Sequence, residues 1–307
     1  MMDPDHDLFV TVVDEGGLAA AGRRLHISPA MVSKRLARLE DRLGAKLLHR
    51  TTRRMALTPA GERLHADLRG ILAALDEAER RVSGQSAMVS GPLRVTAPTS
   101  FGRMHLAPYL QGFLDAYPKV ALTIDLSDAF ADLIEARADL ALRITADPGR
   151  GLSATRLATN RRILCAAPGY LDRHGVPDTI AALKAHRLLA ADGQMPWRLV
   201  GPRGPVSIEG QSHVRTNSSE LVRELTLAGG GIALRSLWDV SDALASGALR
   251  QVLPAYAGSA DVALFAVHLP QSHPPRAISA FIAFLASLYG PVPPWERSTI
   301  ALAEASL

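Results

Sequence analysis

Residues 28–40 read SPAMVSKRLARLE, and the purpose of this short stretch decides the fold. Ser28 is placed to cap a helix by accepting a backbone N–H, and Pro29 suits the first helical position. At about 100° per residue, Val32, Leu36, Leu39 and Leu43 fall within about 60° of one another, a stripe that faces a core. Lys34 lies almost opposite that stripe, flanked by Met31 and Arg38. Gly44 ends the helix. Two readings stay open on this helix alone: a solvated surface helix, or one shaped to enter a DNA groove.

The flanking sequence favours the second. Leu8, Phe9, Val12 and Val13 recur at helical spacing until Gly16-Gly17 breaks the pattern. A short helix follows with Leu18, Ala21 and Leu25 inward and Arg23 and Arg24 outward. Helix, tight turn and second helix make a helix-turn-helix, whose second helix meets base edges with its early residues. KLLHRTTRRMALT (46–58) then reads as two strands, Leu47 to Arg50 and Met55 to Leu57, around a tip carrying Arg53 and Arg54. Such a wing lets arginines reach phosphates or the narrow minor groove. Thr58-Pro59 repeats the cap-then-proline signal and opens a long helix. Its apolar residues Leu64, Leu68, Ile71, Leu75, Ala78 and Val82 step by four and three, a heptad seam. The seam could pack on the protein's own body; its length, with no second seam nearby, favours a dimer helix.

Charge is segregated in the same region. Between Arg23 and Leu57 there are ten basic residues and two acidic ones, Glu40 and Asp41, an electrostatic footprint suited to a polyanion. A single cysteine, Cys165, excludes an internal disulfide and every multi-cysteine zinc arrangement. The ten histidines lack metal-ligand spacing and read as ordinary surface or core residues, so no metal is expected. The N-terminus MMDPDHDLFV is acidic where a signal peptide is basic, and no apolar run reaches about 18 residues. A cytoplasmic protein without a membrane segment is expected.

With these features in view, residues 9–64, FVTVVDEGGLAAAGRRLHISPAMVSKRLARLEDRLGAKLLHRTTRRMALTPAGERL, resemble the signature region of the LysR-type transcriptional regulators. The ordered run Ala-Ala, Val-Ser, Leu-Glu, Leu-Gly, His-Arg and Leu-Thr-x-Ala-Gly carries the likeness, which continues over nearly the full chain. Pro29-Ala30-Met31 stands where many members have Gln-Pro-Ala, Lys34 where many have Arg, and Gly17-Leu18 where many have Ser-Phe. A lysine is a point charge and cannot fork onto guanine as arginine does. The resemblance implies double-stranded promoter DNA as partner. Ser28, Met31, Ser33, Lys34, Arg35 and Arg38 on the recognition helix are the candidate contacts, with Arg53 and Arg54 in the wing.

Beyond SGQSAMVSGP (83–92), small and polar like a hinge, the rhythm changes. LRVTA, VALTIDL and DLALRI read as strands separated by helical stretches, one of them through Leu133 and Ile134. A second such block runs from RRILCAAP through the helix SELVRELTLA to GGGIAL, DVALFAVHL and a last helix with Ile278, Phe281, Ile282, Leu285 and Leu288. The alternation argues for an α/β domain with a mostly parallel sheet. The expected fold is therefore an N-terminal winged helix-turn-helix (1–58), a linker and dimerisation helix with its hinge (59–88), and an effector-binding domain (89–307). The resemblance implies that this domain has two periplasmic-binding-protein-like lobes, about 91–162 with 268–291 and about 163–267, and a cleft between them.

Strand ends and helix starts in such a cleft suit an anion. Thr99, Ser100, Ser127, Arg143, Asn217, Ser218 and His268 are the candidate effector-binding residues, although Ser and Asn there also serve as ordinary caps and Arg143 also has Asp139 nearby. Arg235, where many members have an apolar residue or proline, is either a branch feature or a solvent-facing side chain. No catalytic constellation or cofactor motif is present: AGGGIAL follows a helix and precedes a strand, the reverse of a dinucleotide loop. An exported solute-binding protein would fit the α/β half alone, but not the basic N-terminal fold. The resemblance further implies a homodimer assembled into a homotetramer, a small-molecule effector, a carboxylate for preference, and RNA polymerase as a further partner. LWDV, LRQVLPAY and YGPVPPWER resemble most the branch containing regulators of hydroxy-acid catabolism such as malate and tartrate.

Overall fold

The computed structural model describes residues 3–50, 55–82, 88–128, 133, 136, 138–271 and 274–297. The chain divides into two compact units, Met1–Val89 with Leu269–Ser279, and Ser90–His268 with Ala280–Leu307.

In the first unit, α1 (Pro4–Asp14), α2 (Leu18–Arg24) and α3 (Pro29–Leu43) are followed by β1 (Leu48–Arg50), β2 (Met55–Leu57) and α4 (Pro59–Val82). Asp3 caps α1 by accepting the Asp5 N–H at 2.8 Å. The α2–α3 corner is tight: a Cβ on Gly22 would lie 2.7 Å from the Ile27 carbonyl oxygen, so a side chain there would push the corner open. Ser28 caps α3 by accepting the Met31 N–H at 3.2 Å, and Gly44 closes it in the left-handed region at φ 64°. Val32, Leu36 and Leu39 are fully buried, but Leu43, the fourth residue of the expected stripe, is 43% exposed. Glu40 takes the inward position of the last turn instead. Its carboxylate accepts the Leu47 and Leu48 N–H groups at 3.0 and 3.3 Å and Lys46 Nζ at 3.0 Å. The first wing strand starts at Leu48, where pairing with Leu57 begins, one residue later than expected.

The wing pairs Leu48 with Leu57 and Arg50 with Met55. Thr58 Oγ1 accepts the Gly61 N–H at 3.0 Å and donates to the Lys46 carbonyl at 2.6 Å, so one hydroxyl caps α4 and pins it to the wing. Leu8, Phe9, Val12, Val32, Leu36, Leu39 and Leu68 share the unit's core, with Leu64 and Leu72 packed against it. The heptad seam therefore divides. Its first part lies on the unit's own core, whereas Ile71 and Leu75 are 53% and 42% exposed. The side chains of Ala78 and Val82, the remaining seam positions, lie outside the described ones.

In the second unit, β3 (Ser90–Ala97) leads into α5 (Thr99–Phe101), which continues through a π turn and a 3-10 turn into α6 (Leu110–Ala116). β4 (Lys119–Leu126), β5 (Leu140–Thr145) and β6 (Ser153–Thr159) complete this part of the first lobe. Leu133 is buried in a turn; Ile134, expected beside it on a helix, lies outside the described residues. The second lobe holds β7 (Arg162–Ala166), α7 (Pro168–His174), β8 (Leu188–Leu189), β9 (Trp197–Gly201), β10 (Gly204–Ile208), α8 (Ser219–Leu227), β11 (Ile232–Ser236), α9 (Leu237–Ala245), β12 (Arg250–Gln251) and β13 (Ala257–Gly258). β14 (Ala263–His268) and α10 (Arg276–Tyr289) follow. Phe281, Leu285 and Tyr289 of α10 are fully buried, while Ile282 and Leu288 of the expected stripe are half-buried.

Two expectations change here. β14 inserts between β5 and β6, antiparallel to both, so the second crossing falls near Val262 rather than at 268, and DVALFAVHL belongs to the first lobe. The sheets are also mixed rather than mostly parallel. β3 runs parallel to β4 and β5. In the second lobe, ordered β10-β9-β13-β7-β11-β8, the one parallel pair among the described residues is β11 with β8. β9 and β10 join through a hairpin turn, which needs no crossover helix.

Candidate nucleic-acid interface and ligand cleft

The exposed side of α3 carries Met31, Lys34 and Arg38, with Ser33 half-buried and Ser28 exposed at the cap. The acidic N-terminus reaches across to several of the basic residues. Asp5, only 3% exposed, accepts from Arg35 Nε at 2.6 Å and from Arg38 Nε and Nη2 at 3.2 and 3.1 Å. Arg42 pairs with Asp3 and Lys46 with Glu40. Arg35, its side chain 24% exposed, is thereby committed to the domain interior; Arg38 remains 70% exposed and can still reach outward. Among the described residues, Lys34 has no carboxylate partner. Arg53 and Arg54 lie outside the described residues.

Glu40 holds the other end of the helix. Burial works against its charge, but the Lys46 bond and the two backbone N–H groups prevail and lower its pKa. Recognition helix and wing are thus locked by a carboxylate that stays ionised.

Between the two lobes lies a cavity of about 650 Å³. Four of the seven candidate residues line it: Ser100, Ser127, Arg143 and Asn217. Thr99, Ser218 and His268 do not. The Thr99 backbone N–H donates to Asp128 at 2.9 Å. The Ser218 hydroxyl is used as the α8 cap, accepting the Leu221 N–H at 3.2 Å. His268 ends β14 opposite Ser153, a strand's length from the crossing at which it was expected. Arg143 donates to the Pro148 carbonyl at 2.9 Å.

Sequence reasoning missed three groups in the wall. Arg235 is only 3% exposed. It donates from Nε to Asp239 at 2.7 Å and from Nη1 to Ser219 Oγ at 3.2 Å, so it does not face solvent. Burial raises the Asp239 pKa, against the pull of Arg235, Arg223 and His105. Asn160 and Arg162 sit at the first crossing. Asn160 is 3% exposed and, among the described residues, neither of its amide atoms has a partner; Arg162 Nε is likewise buried and unpartnered among them. Ser100 Oγ, 2% exposed, completes this set. A buried polar atom without a partner marks a place where a ligand or water belongs. The i, i+4 spacing of Arg235 and Asp239 was a usable signal for the first group; nothing local marked Asn160.

Cys165, buried in β7, has its thiol pushed up to about 12 by burial. It is therefore unsuited to nucleophilic work.

Fold and sites define a winged-helix DNA-binding protein with a two-lobed ligand-binding domain. The comparisons agree. Residues 5–62 match the bacterial regulatory helix-turn-helix protein family of lysR type, and residues 86–289 match the LysR substrate binding domain. The chain belongs to the LysR family of bacterial transcriptional regulators. It is 40% identical to the HTH-type transcriptional regulator DmlR of Escherichia coli over 84% of this chain and 85% of that protein. To the HTH-type transcriptional activator TtdR of Escherichia coli it is 34% identical over 92% of each chain. Among solved structures, full-length AphB of Vibrio cholerae, a virulence activator, superposes with a TM-score of 0.59. The identity is 26%, covering 94% of this chain and 99% of that one.

Proposed function

We propose that this regulator works in the cytoplasm as a homodimer joined along the exposed part of α4, two dimers forming a homotetramer on a dyad-containing promoter site. Lys34, with Arg38, Ser33 and Met31 beside it, reads base edges or adjacent phosphates, and the wing arginines Arg53 and Arg54 reach the backbone. Ser28 sets the helix start and Arg35 its attachment. The domain limits are 1–58, 59–88 and 89–307, with the lobe exchange moved to Val262. The protein binds its ligand without transforming it and uses no cofactor; RNA polymerase is the partner that reads the outcome.

The ligand is a small carboxylate, a hydroxy acid of the malate or tartrate kind. One observation carries this reading: the cleft wall buries a hydroxyl, a carboxamide and a guanidinium nitrogen that have no partner among the described residues. Such a set suits a molecule with both acceptors and hydroxyls. Ligand binding favours one lobe arrangement over another, which requires unequal affinity for the two.

Thermal denaturation of the full-length protein with succinate, malate and tartrate tests the ligand class. A rise in Tm with a hydroxy acid that exceeds the rise with succinate is expected. No shift with any of them removes the hydroxy-acid reading.

A further inference from the structure

The cleft already contains a carboxylate of its own. Asp128, just after β4 in the first lobe, accepts the Thr99 N–H through Oδ1 at 2.9 Å. Through Oδ2 it accepts the Ser219 N–H, at the start of the nine-residue α8 of the second lobe, at 3.1 Å. The neighbouring donors and acceptors are also committed. Ser219 Oγ accepts from Gln194 and from Arg235, each at 3.2 Å, and the Leu221 N–H is held by Ser218. Close by, Arg103 and Glu220 form a second link between lobes at 2.7 Å. An anion approaching the start of α8 meets a resident negative charge and N–H groups already in use.

The hinge wall is the reverse. Asn160 donates its backbone N–H to the Val262 carbonyl at 3.3 Å, tying the two crossings together, yet among the described residues both ends of its buried side chain are unpartnered. Arg162 Nε, two residues on, is in the same condition, and its side chain lies along Gly258. The nearby Asp261 is exposed on the same cavity wall, and its carboxylate accepts from Ser259 Oγ at 2.9 Å.

We propose that the effector's anionic group is taken at the hinge by Arg162 and Asn160, while Asp128 stands in for a ligand carboxylate at the start of α8 and clasps the lobes. This rests on the cleft being the ligand site. It makes Asn160 and Arg162 the specificity-determining pair. Asn160, with one acceptor and two N–H donors free, selects a carboxylate that carries a hydroxyl beside it. Asp128 excludes a second anion from α8.

The test is calorimetric titration of the full-length protein with inorganic sulfate and, separately, with malate. Wild type is expected to bind sulfate at one site per chain. Arg162→Met should weaken that binding at least tenfold and Asn160→Ala severalfold. Asp128→Ser, which frees two N–H groups, should add a second sulfate site. Asp128→Asn, which keeps the side-chain shape but removes the charge and turns one of its two acceptors into a donor, should also bind sulfate more tightly than wild type, and guards against a misfolded serine variant. No sulfate binding by wild type, binding indifferent to Arg162→Met, or Asp128 variants no better than wild type would each overturn the proposal. Sulfate binding with the expected pattern but no response to malate would leave this inference standing and remove the hydroxy-acid reading.

Discussion

Asp5 and Arg35, thirty residues apart, meet with the carboxylate 2.6 Å from the guanidinium Nε, and Asp5 is almost wholly buried. The first helix of the chain thereby orients the recognition helix. The same carboxylate restrains Arg38, so the charges on the two sides of α3 do different work. Replacing Asp5 by Ala leaves Arg35 without its buried partner and should cost about 3 kcal/mol, the low end for breaking such a pair. Arg35→Ala should lower Tm in the same way. Lys34→Ala should leave Tm within a degree or two, yet lose about 1–3 kcal/mol of base discrimination, or about one unit of salt slope if it contacts phosphate. Melting and salt-dependent anisotropy on the same variants separate the two roles. An Arg35 variant that melts like wild type would contradict this division.

Gly61 meets the wing at its closest approach. A Cβ there would lie 2.1 Å from the Leu47 carbonyl oxygen and 3.0 Å from the Leu57 side chain. Gly61→Ala should therefore destabilise the protein by about 1–3 kcal/mol through overpacking, despite alanine's better helix propensity. Urea denaturation checks this; a neutral or stabilising result would mean that wing and helix separate freely.

Glu40 supplies a pH signature. Its folded pKa is lowered by Lys46 and by the Leu47 and Leu48 N–H groups, which outweigh the burial. The unfolded state therefore binds a proton at a pH where the folded state does not. The stabilisation is fully present above the unfolded pKa and fades as pH falls through the folded one. Glu40→Gln should flatten stability against pH on the acid side of neutrality. A variant with the wild-type acid profile would show that Glu40 does not hold the wing.

The α4 seam predicts opposite outcomes for two of its leucines. Leu68→Ala should cost about 2–4 kcal/mol of stability by emptying a core site, with dimerisation intact. Leu75→Asp should leave the fold intact and dissociate the protein on sedimentation at micromolar concentration. A Leu75→Asp dimer as tight as wild type would place the dimer contact elsewhere.

The N-terminal fold was legible because its signals are local. Caps at Ser28 and Thr58 and the stop at Gly44 all depend on residues within a few positions of one another. Asp5 was not legible as a clamp, since an acidic first turn reads as helix-dipole chemistry and its partners lie a helix away. The second half was harder for the same reason. DVALFAVHL is a recognisable strand, but which lobe it joins depends on where the chain has already crossed. Asp128 and Asn160 carry no local signal in the sequence. Each gains its meaning from a second segment about a hundred residues distant: Ser219 for Asp128, Val262 for Asn160. Arg235 was ambiguous until Asp239 and Ser219 were seen to enclose it.

Regulation of the proposed kind requires that the basic α3 face bind a specific duplex and that occupancy of the cleft change that binding. Fluorescence anisotropy of the full-length protein on DNA upstream of its own gene tests both parts directly. It should be run beside a scrambled duplex, across salt, with and without malate or tartrate. A preference over scrambled DNA of at least about 10³ is expected, together with a shift in affinity when one hydroxy acid is added. Equal affinity for the two duplexes, unmoved by either acid at any salt, would contradict it.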